Sequence, residues 1–343
     1  LTRSTAFFIN GGAGRVITSI PAFELFEKEN PEDDFIIVCE GGTDFYKGHP
    51  TLHKRVFDNW HKGLFEEKLK DRNCETPEPY RVWEYYNQKC SLAQAFDIAI
   101  NKKGLREVGD PKIVLNKQEM ISGANLVDEV RKVSGKEKVL VVQPFGRTTE
   151  SVGDFIIDNT SRSFQLTNIV DIINILKKEY GIIIMSEIPV PLEEADVESK
   201  YPVAQPDIRD IRVWAGVIEC ADHFLGCDSL GQHIVKALGK TATVVTGSTY
   251  PINISYINDP KFDIIDIGEG KRVYSPIRLT MEEEQDRHND EVMEMTTAQI
   301  EQVCNSVRKV LGKTVKKQTF TQAPQQKLQA GASNLNKPFG DKK

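Results

Sequence analysis

Asp222-His223-Phe224-Leu225-Gly226-Cys227-Asp228-Ser229-Leu230-Gly231-Gln232-His233 runs on through Ile234-Val235-Lys236-Ala237-Leu238-Gly239-Lys240 to Ala242-Thr243-Val244-Val245-Thr246-Gly247-Ser248-Thr249. The periods in this stretch describe a short apolar strand, a polar turn, a compact helix closed by Gly239 and a second, β-branched strand ending in small hydroxyl residues. It is one βαβ unit. Asp228 and Ser229 stand where a helix N-cap belongs, so the N–H groups of Leu230, Gly231 and Gln232 are expected to point out unpaired beyond the strand end. Such a terminus attracts anions, phosphate above all. Ser229 and His233, four apart, share one helix face, which turns His233 towards whatever the terminus holds.

Bulk properties bound what surrounds this unit. The chain has 343 residues, room for two domains with real cores. Its most apolar runs, Phe35 to Cys39, Val139 to Val142 and Ile182 to Met185, fall far short of the roughly 20 residues a bilayer requires. Ala6-Phe7-Phe8-Ile9, followed by glycines, reads as a first strand rather than a signal peptide. Six cysteines without a C-x-x-C pair behave as small hydrophobes and point to a reducing, cytoplasmic setting. Net charge is −6, yet residues 313–343 carry seven lysines and a single acid, Asp341, which leaves the body near −12. A body so acidic does not coat nucleic acid broadly, although a local basic groove stays open.

Asp228-Ser229-x-x-x-His233, opening a helix that ends Ala237-Leu238-Gly239 and leading to Gly247-Ser248-Thr249, resembles the donor-site motif of the lipopolysaccharide heptosyltransferases, family 9 of the glycosyltransferases. In that family the equivalent turn and helix hold the diphosphate of a nucleotide sugar. The motif alone also fits an ordinary strand-to-helix turn with an Asp-Ser cap, His233 then being a core histidine.

The N-terminal end carries a second point of likeness. Strand Thr5 to Asn10 runs into Gly11-Gly12-Ala13-Gly14-Arg15 and an amphipathic helix with Val16, Ile20, Phe23 and Phe26. The turn is glycine-rich because the backbone must bend sharply and approach a ligand or a neighbouring strand closely. It lacks the third glycine of a dinucleotide fingerprint. Gly14 to Ala22 instead resembles the heptosyltransferase opening, where Gly-Asp-Val precedes Thr-x-x-Pro-Ala. Arg15 occupies the place of the acid that serves that family as catalytic base. The base then lies elsewhere, the acceptor differs, or the protein only binds.

Residues 40 to 135 match nothing in the family. They hold Glu40-Gly41-Gly42-Thr43-Asp44, then an aromatic and basic section from Phe45 and Tyr46 through Trp60 and Phe65 to Trp83 and Tyr86. Amphipathic aromatics suit a sugar or a base, but ordinary core and loop aromatics account for them as well. His49 and His53 are four apart, but Pro50 disfavours the helix that would join them on one metal, and no Cys or acid is suitably spaced. Plausible helices follow at Ser91 to Asn101 and Ser122 to Val133.

After the charged linker 136–138 the second half alternates strand and helix: Val139 to Val142, Thr167 to Tyr180, Gly181 to Met185, Ile208 to Cys220, then the unit quoted above. Alternation of this kind builds a parallel sheet covered on both faces. Arg162-Ser163-Phe164-Gln165-Leu166 resembles the family's Lys-x-Trp-Pro segment, with Arg162 in the place of the phosphate-contacting lysine. An arginine fork can still clamp a phosphate. A last strand, Phe262 to Ile267, a charge-dense stretch, Glu282 to Glu291, and an amphipathic helix, Thr296 to Leu311, complete the body. The Gln- and Lys-rich remainder cannot bury a core and is expected to be disordered.

The expected architecture is α/β with two facing Rossmann-like domains of the glycosyltransferase B type: an acceptor domain at 1–135, a donor domain at 136–312 and a basic tail at 313–343. The resemblance implies an inverting, metal-independent transfer of a sugar from a nucleotide sugar, itself a substrate, with no further cofactor. The donor diphosphate is expected at Asp228, Ser229, Leu230, Gly231, Gln232 and His233, helped by Arg147 or Arg162. Asp44, at the end of the second strand, is the candidate base, with Arg15 beside the reacting groups. The acceptor classes left open are a saccharide, a lipid-linked glycan and a modified nucleic-acid base. A non-catalytic sugar-nucleotide or nucleic-acid binding protein would explain Arg15 simply; a sugar-nucleotide epimerase would share the architecture but calls for a carboxylate pair.

Overall fold

The computed structural model describes residues 4–146, 149–152, 155–192, 202–273, 289 and 291–313. The chain begins with strand β1 (Thr5–Ile9), helix α1 (Ala13–Glu29) and strand β2 (Ile36–Cys39), followed by the short strands β3 (Val56–Asp58) and β4 (Asn73–Glu75). These strands form one parallel sheet in the order β3-β2-β1-β4. Helices α2 (Trp83–Tyr86) and α3 (Leu92–Asn101) follow, the latter started by a capping box between Ser91 and Gln94. Phe7, Phe23, Phe26 and Phe35 meet in mostly edge-to-face pairs between the sheet and α1.

A second capping box, Asn116 with Glu119, opens helix α4 (Lys117–Ser134), which Gly135 ends at φ 65°. Beyond it come β5 (Val139–Gln143), the hairpin β6 (Thr149–Val152) and β7 (Phe155–Asp158), α5 (Leu166–Leu176), β8 (Gly181–Ile184) and β9 (Val203–Ala204). Then follow α6 (Ile211–Cys220), β10 (His223–Cys227), α7 (Leu230–Ala237), β11 (Ala242–Thr246), α8 (Pro251–Ile254), β12 (Phe262–Asp266) and α9 (Thr297–Leu311). The second sheet is parallel, in the order β12-β11-β10-β5-β8-β9. Side chains alternate across it: Leu140 and Val142 join the core beneath α5 and α9, while Val139 and Val141 join the core beneath α4, α6 and α7.

Helix α4 lies on the N-terminal side of the expected boundary at residue 135, yet Val127 and Val130 pack with the second sheet. Gly123 of α4 and Gly216 of α6 meet backbone to backbone, where a Cβ on either would collide with the other helix. Beside that crossing Arg212 and Glu119 form a buried ion pair at 2.7 Å. The two α/β units face each other and touch. Ile17 and Phe45 enter the core of the second unit, and Asn253 Nδ2 donates to the carbonyls of Tyr85 and Cys90, both at 2.9 Å. Among the aromatics of 45–86, Phe45, Tyr46 and Tyr85 are buried, whereas Trp60, Phe65 and Trp83 are exposed. His49 bonds Glu24 at 3.1 Å and His53 bonds the His49 carbonyl at 2.6 Å. Arg147, most of 282–291 and all of 314–343 lie outside the described residues.

Candidate functional site

Strand order in the second sheet reverses between β5 and β10: the chain moves outward from β5 through β8 to β9 on one side and through β10 to β12 on the other. Ligands of open parallel sheets bind in the crevice beyond the strand ends at such a switch point. There the structure has a cleft of about 1430 Å³ between the two units. The first unit lines it with the glycine turn, Arg15, Glu40 and Asp44, the second with Gln143, Arg162, Asp228, Ser229, Leu230 and His233.

Helix α7 begins at this crevice, separated from the end of β10 by Asp228 and Ser229, with Ser229 as its N-cap in extended backbone. Ser229 does not cap the helix with its own side chain. Gln143, at the end of β5, does so instead: its Oε1 accepts the Gly231 N–H at 2.8 Å, while its Nε2 donates to Ser229 Oγ at 3.3 Å. The N–H of Gly231, expected to be open, is thus already bonded. Gln232 also lies behind the cleft wall, fully buried, its amide donating to Asp228 Oδ1 and accepting from Ser255 Oγ, both at 2.8 Å. What Ser229 offers a ligand is its hydroxyl proton, since Gln143 uses only the oxygen.

Asp228 is an internal brace. Its Oδ2 accepts from Thr249 Oγ1 at 2.9 Å and lies 3.8 Å from Arg162 Nη1. Burial pushes its carboxyl above the usual range, against the pull of Arg162, Thr249 and Gln232. Arg162 is held by the loop before α5, which Asp158 organises. Asp158 Oδ2 accepts from the Ser163 N–H at 2.9 Å, Ser163 Oγ at 2.6 Å and the Arg162 N–H at 3.3 Å; Oδ1 accepts from the Thr160 N–H at 2.8 Å. Burial alone would raise this carboxyl, but the hydrogen bonds from Ser163 and Thr160 outweigh it and bring it down to about 2. Ser163 Oγ in turn accepts the Gly146 N–H at 2.9 Å, tying the loop to the end of β5.

His233 reaches the cleft from the first turn of α7. Its Nδ1 lies 2.7 Å from the Tyr256 hydroxyl, and the two rings meet edge to face at 5.8 Å. Burial, with the nearby charge of Arg162, pushes its pKa down to about 4, so the imidazole is neutral at pH 7. Across the cleft Gly14 comes so near that a Cβ there would stand 3.0 Å from His233 Cδ2. Glycine at 14 lets the start of α1 meet the start of α7.

Arg15 is buried, its guanidinium 4.9 Å from the centre of the Tyr80 ring and 3.6 Å from Glu78. Asp44 is half exposed and pairs with Lys47 at 2.5 Å, while its carbonyl accepts from Arg212 Nη1 at 3.2 Å. Three contributors were missed by sequence reasoning. Gln143 and Asp158 carry no motif in the sequence, and Glu40 stands there only as the first residue of the Glu40-Gly41-Gly42-Thr43-Asp44 turn. The signal for Asp158 was the Asp-Asn-Thr-Ser series, a turn chemistry in which the side chain bonds backbone ahead of it.

No protein-family model matches this chain, and no curated protein matches its sequence. Solved structures do. The chain superposes on a glycosyl transferase family 9 protein from Veillonella parvula with a TM-score of 0.60, at 13% identity over 90% of this chain and 97% of that one. It superposes on Escherichia coli ADP-heptose lps heptosyltransferase II with a TM-score of 0.57, at 10% identity over 88% and 98%. A third structure is the dodecameric iron-containing heptosyltransferase TibC in complex with ADP-D-beta-D-heptose, with a TM-score of 0.54, at 11% identity over 90% and 77%. At such identities the likeness is one of fold: two facing α/β units of the glycosyltransferase B type, as the resemblance implied.

Proposed function

We propose that this chain is a glycosyltransferase that moves a sugar from a nucleotide-diphosphate sugar to an acceptor hydroxyl, with inversion and without a metal. The observation that carries this reading is the start of α7, which opens with the Ser229 hydroxyl and the Arg162 guanidinium onto a cleft of about 1430 Å³. That space exceeds the roughly 300–1000 Å³ of an ordinary small-molecule pocket, as a donor with an acceptor requires. The complex of TibC with ADP-D-beta-D-heptose supports a nucleotide sugar as the ligand class.

In this reading the diphosphate lies at the α7 terminus. As the bond between the anomeric carbon and the phosphate breaks, negative charge grows on the leaving group, where the helix dipole and Arg162 oppose it. That supply of positive charge is the reason for proposing a transfer that needs no metal. An acceptor hydroxyl attacking from the opposite side inverts the anomeric centre. The free thiols of Cys39, Cys90, Cys227 and Cys304, all buried, support a reducing, cytoplasmic compartment. No helix among the described residues is long and apolar enough to cross a membrane.

A non-catalytic binding protein is the second reading, favoured by Arg15 where the resemblance places an acid. Incubation with a panel of ADP-, UDP- and GDP-sugars separates the two. A transferase slowly hydrolyses one of them, and ADP raises its Tm while adenosine does little, because the diphosphate carries the contacts. Binding without any turnover selects the second reading, and equal shifts from ADP and adenosine remove the diphosphate site.

A further inference from the structure

We propose that Glu40 is the general base that deprotonates the acceptor. The inference rests on the transferase reading and supplies the carboxylate that the first turn of α1 lacks, since Arg15 there is turned onto Tyr80 and towards Glu78. Glu40 is the first residue after β2, at the cleft edge of the first sheet, and its N–H donates to the Ile9 carbonyl at 3.2 Å. The side chain reaches over the glycine turn, where Oε2 accepts the Gly11 N–H at 2.6 Å. Two positive-φ glycines build this arrangement. Gly11 at φ 88° aims its N–H at the carboxylate, and Gly42 at φ 79° lets the chain after Glu40 lie against α1, where a Cβ would stand 2.9 Å from Ala13 Cα.

The two cleft carboxylates of the first unit differ in what surrounds them. Asp44 is already engaged by the Lys47 ammonium at 2.5 Å. Glu40 is exposed in the cleft and, among the described residues, pairs with no cation; the Gly11 bond fixes one oxygen and leaves the other to meet a hydroxyl. A base fixed in position and open to the substrate is what proton abstraction requires. Glu40 takes the acceptor proton as the acceptor oxygen bonds to the anomeric carbon. The bond from that carbon to the phosphate oxygen breaks, the nucleoside diphosphate leaves with the electron pair, and Glu40 passes its proton to water.

Glu40→Gln tests this cleanly, because the amide oxygen can still accept from Gly11. With the nucleotide sugar that the wild type hydrolyses fastest, kcat for Glu40→Gln is expected to fall about 100-fold or more. KM, Tm and the calorimetric Kd for ADP are expected to stay within ~2-fold or a degree or so of wild type, as for a group that acts only in the chemical step. Asp44→Asn is expected to lose far less, and Glu40→Asp, which sets the carboxylate back by one methylene, to retain measurable turnover. Full kcat in Glu40→Gln, or the larger loss in Asp44→Asn, overturns the assignment while leaving the transferase reading intact. A fall in kcat matched by weaker ADP binding or a lower Tm also overturns it, making Glu40 a brace of the turn. A wild type that neither binds ADP nor hydrolyses any nucleotide sugar overturns both.

Discussion

Gln143 and Gly231 lie 88 residues apart in sequence and 2.8 Å apart across the switch point, where the side-chain oxygen of one accepts the backbone N–H of the other. The bond joins the end of β5 to the first turn of α7 and leaves no room between them. A Cβ on Gly231 would collide with both Gln143 Oε1 and the Phe224 ring. Gly231→Ala is therefore expected to destabilise the fold by about 1–3 kcal/mol through overpacking and a displaced cap. It should also weaken ADP binding, because Ser229 loses the amide that orients it. A denaturant midpoint equal to wild type would mean that the crevice is looser than this geometry.

Asp158 provides a pH signature. Its folded pKa of about 2 lies below the ordinary aspartate value, so it stabilises the fold above that ordinary value and the contribution is lost as pH falls towards 2. The lowering from 3.8 to about 2 corresponds to roughly 2–3 kcal/mol. Asp158→Asn should cost about that much at pH 7, and the gap to wild type should close as pH drops from 5 to 2. Denaturant unfolding across that range measures the gap. A gap independent of pH would show that the carboxylate charge does not hold the Arg162 loop.

The parts of this site that were legible in the sequence are those whose chemistry is local. The β10-α7-β11 unit declares itself through a β-branched strand, the Asp228-Ser229 turn and the closing Gly239, all within one run of chain. The alternation of strand and helix after residue 139 argued only for a parallel sheet covered on both faces, and that two α/β units face each other was what the family resemblance implied. Gln143 was not legible, because a polar residue ending an apolar strand gains its role only when β5 and β10 become neighbours. Helix α4 illustrates the same limit. Its amphipathic pattern announces an apolar face but not which sheet covers it, and the deciding contact, Gly123 on Gly216, pairs glycines that carry no periodic signal. Arg15 was legible as a departure, while the carboxylate proposed to replace it comes from another strand.

His233 joins the question of fold to that of function. It is buried, bonded to Tyr256 at 2.7 Å and neutral at pH 7, and it faces the cleft from the first turn of α7. His233→Ala should lower stability by about 1–3 kcal/mol, because it leaves a cavity and takes the partner from the part-buried Tyr256 hydroxyl. It should also weaken ADP binding by about 0.5–1.5 kcal/mol, the size of a neutral hydrogen bond rather than a charge-assisted one. The sign of the pH effect follows from the lowered pKa. The folded protein resists protonating this ring until about pH 4, whereas the unfolded chain protonates it near 6.5, so acid favours unfolding across that window. For the same reason, wild-type affinity for ADP should not climb through a histidine titration between pH 7 and 5.5. Calorimetry with ADP and denaturant unfolding on the same variant separate the two roles. Unchanged affinity with a lowered midpoint would make His233 a core histidine and remove it from the donor site, and an affinity that rises steeply below pH 7 would mean that the ring binds as a cation.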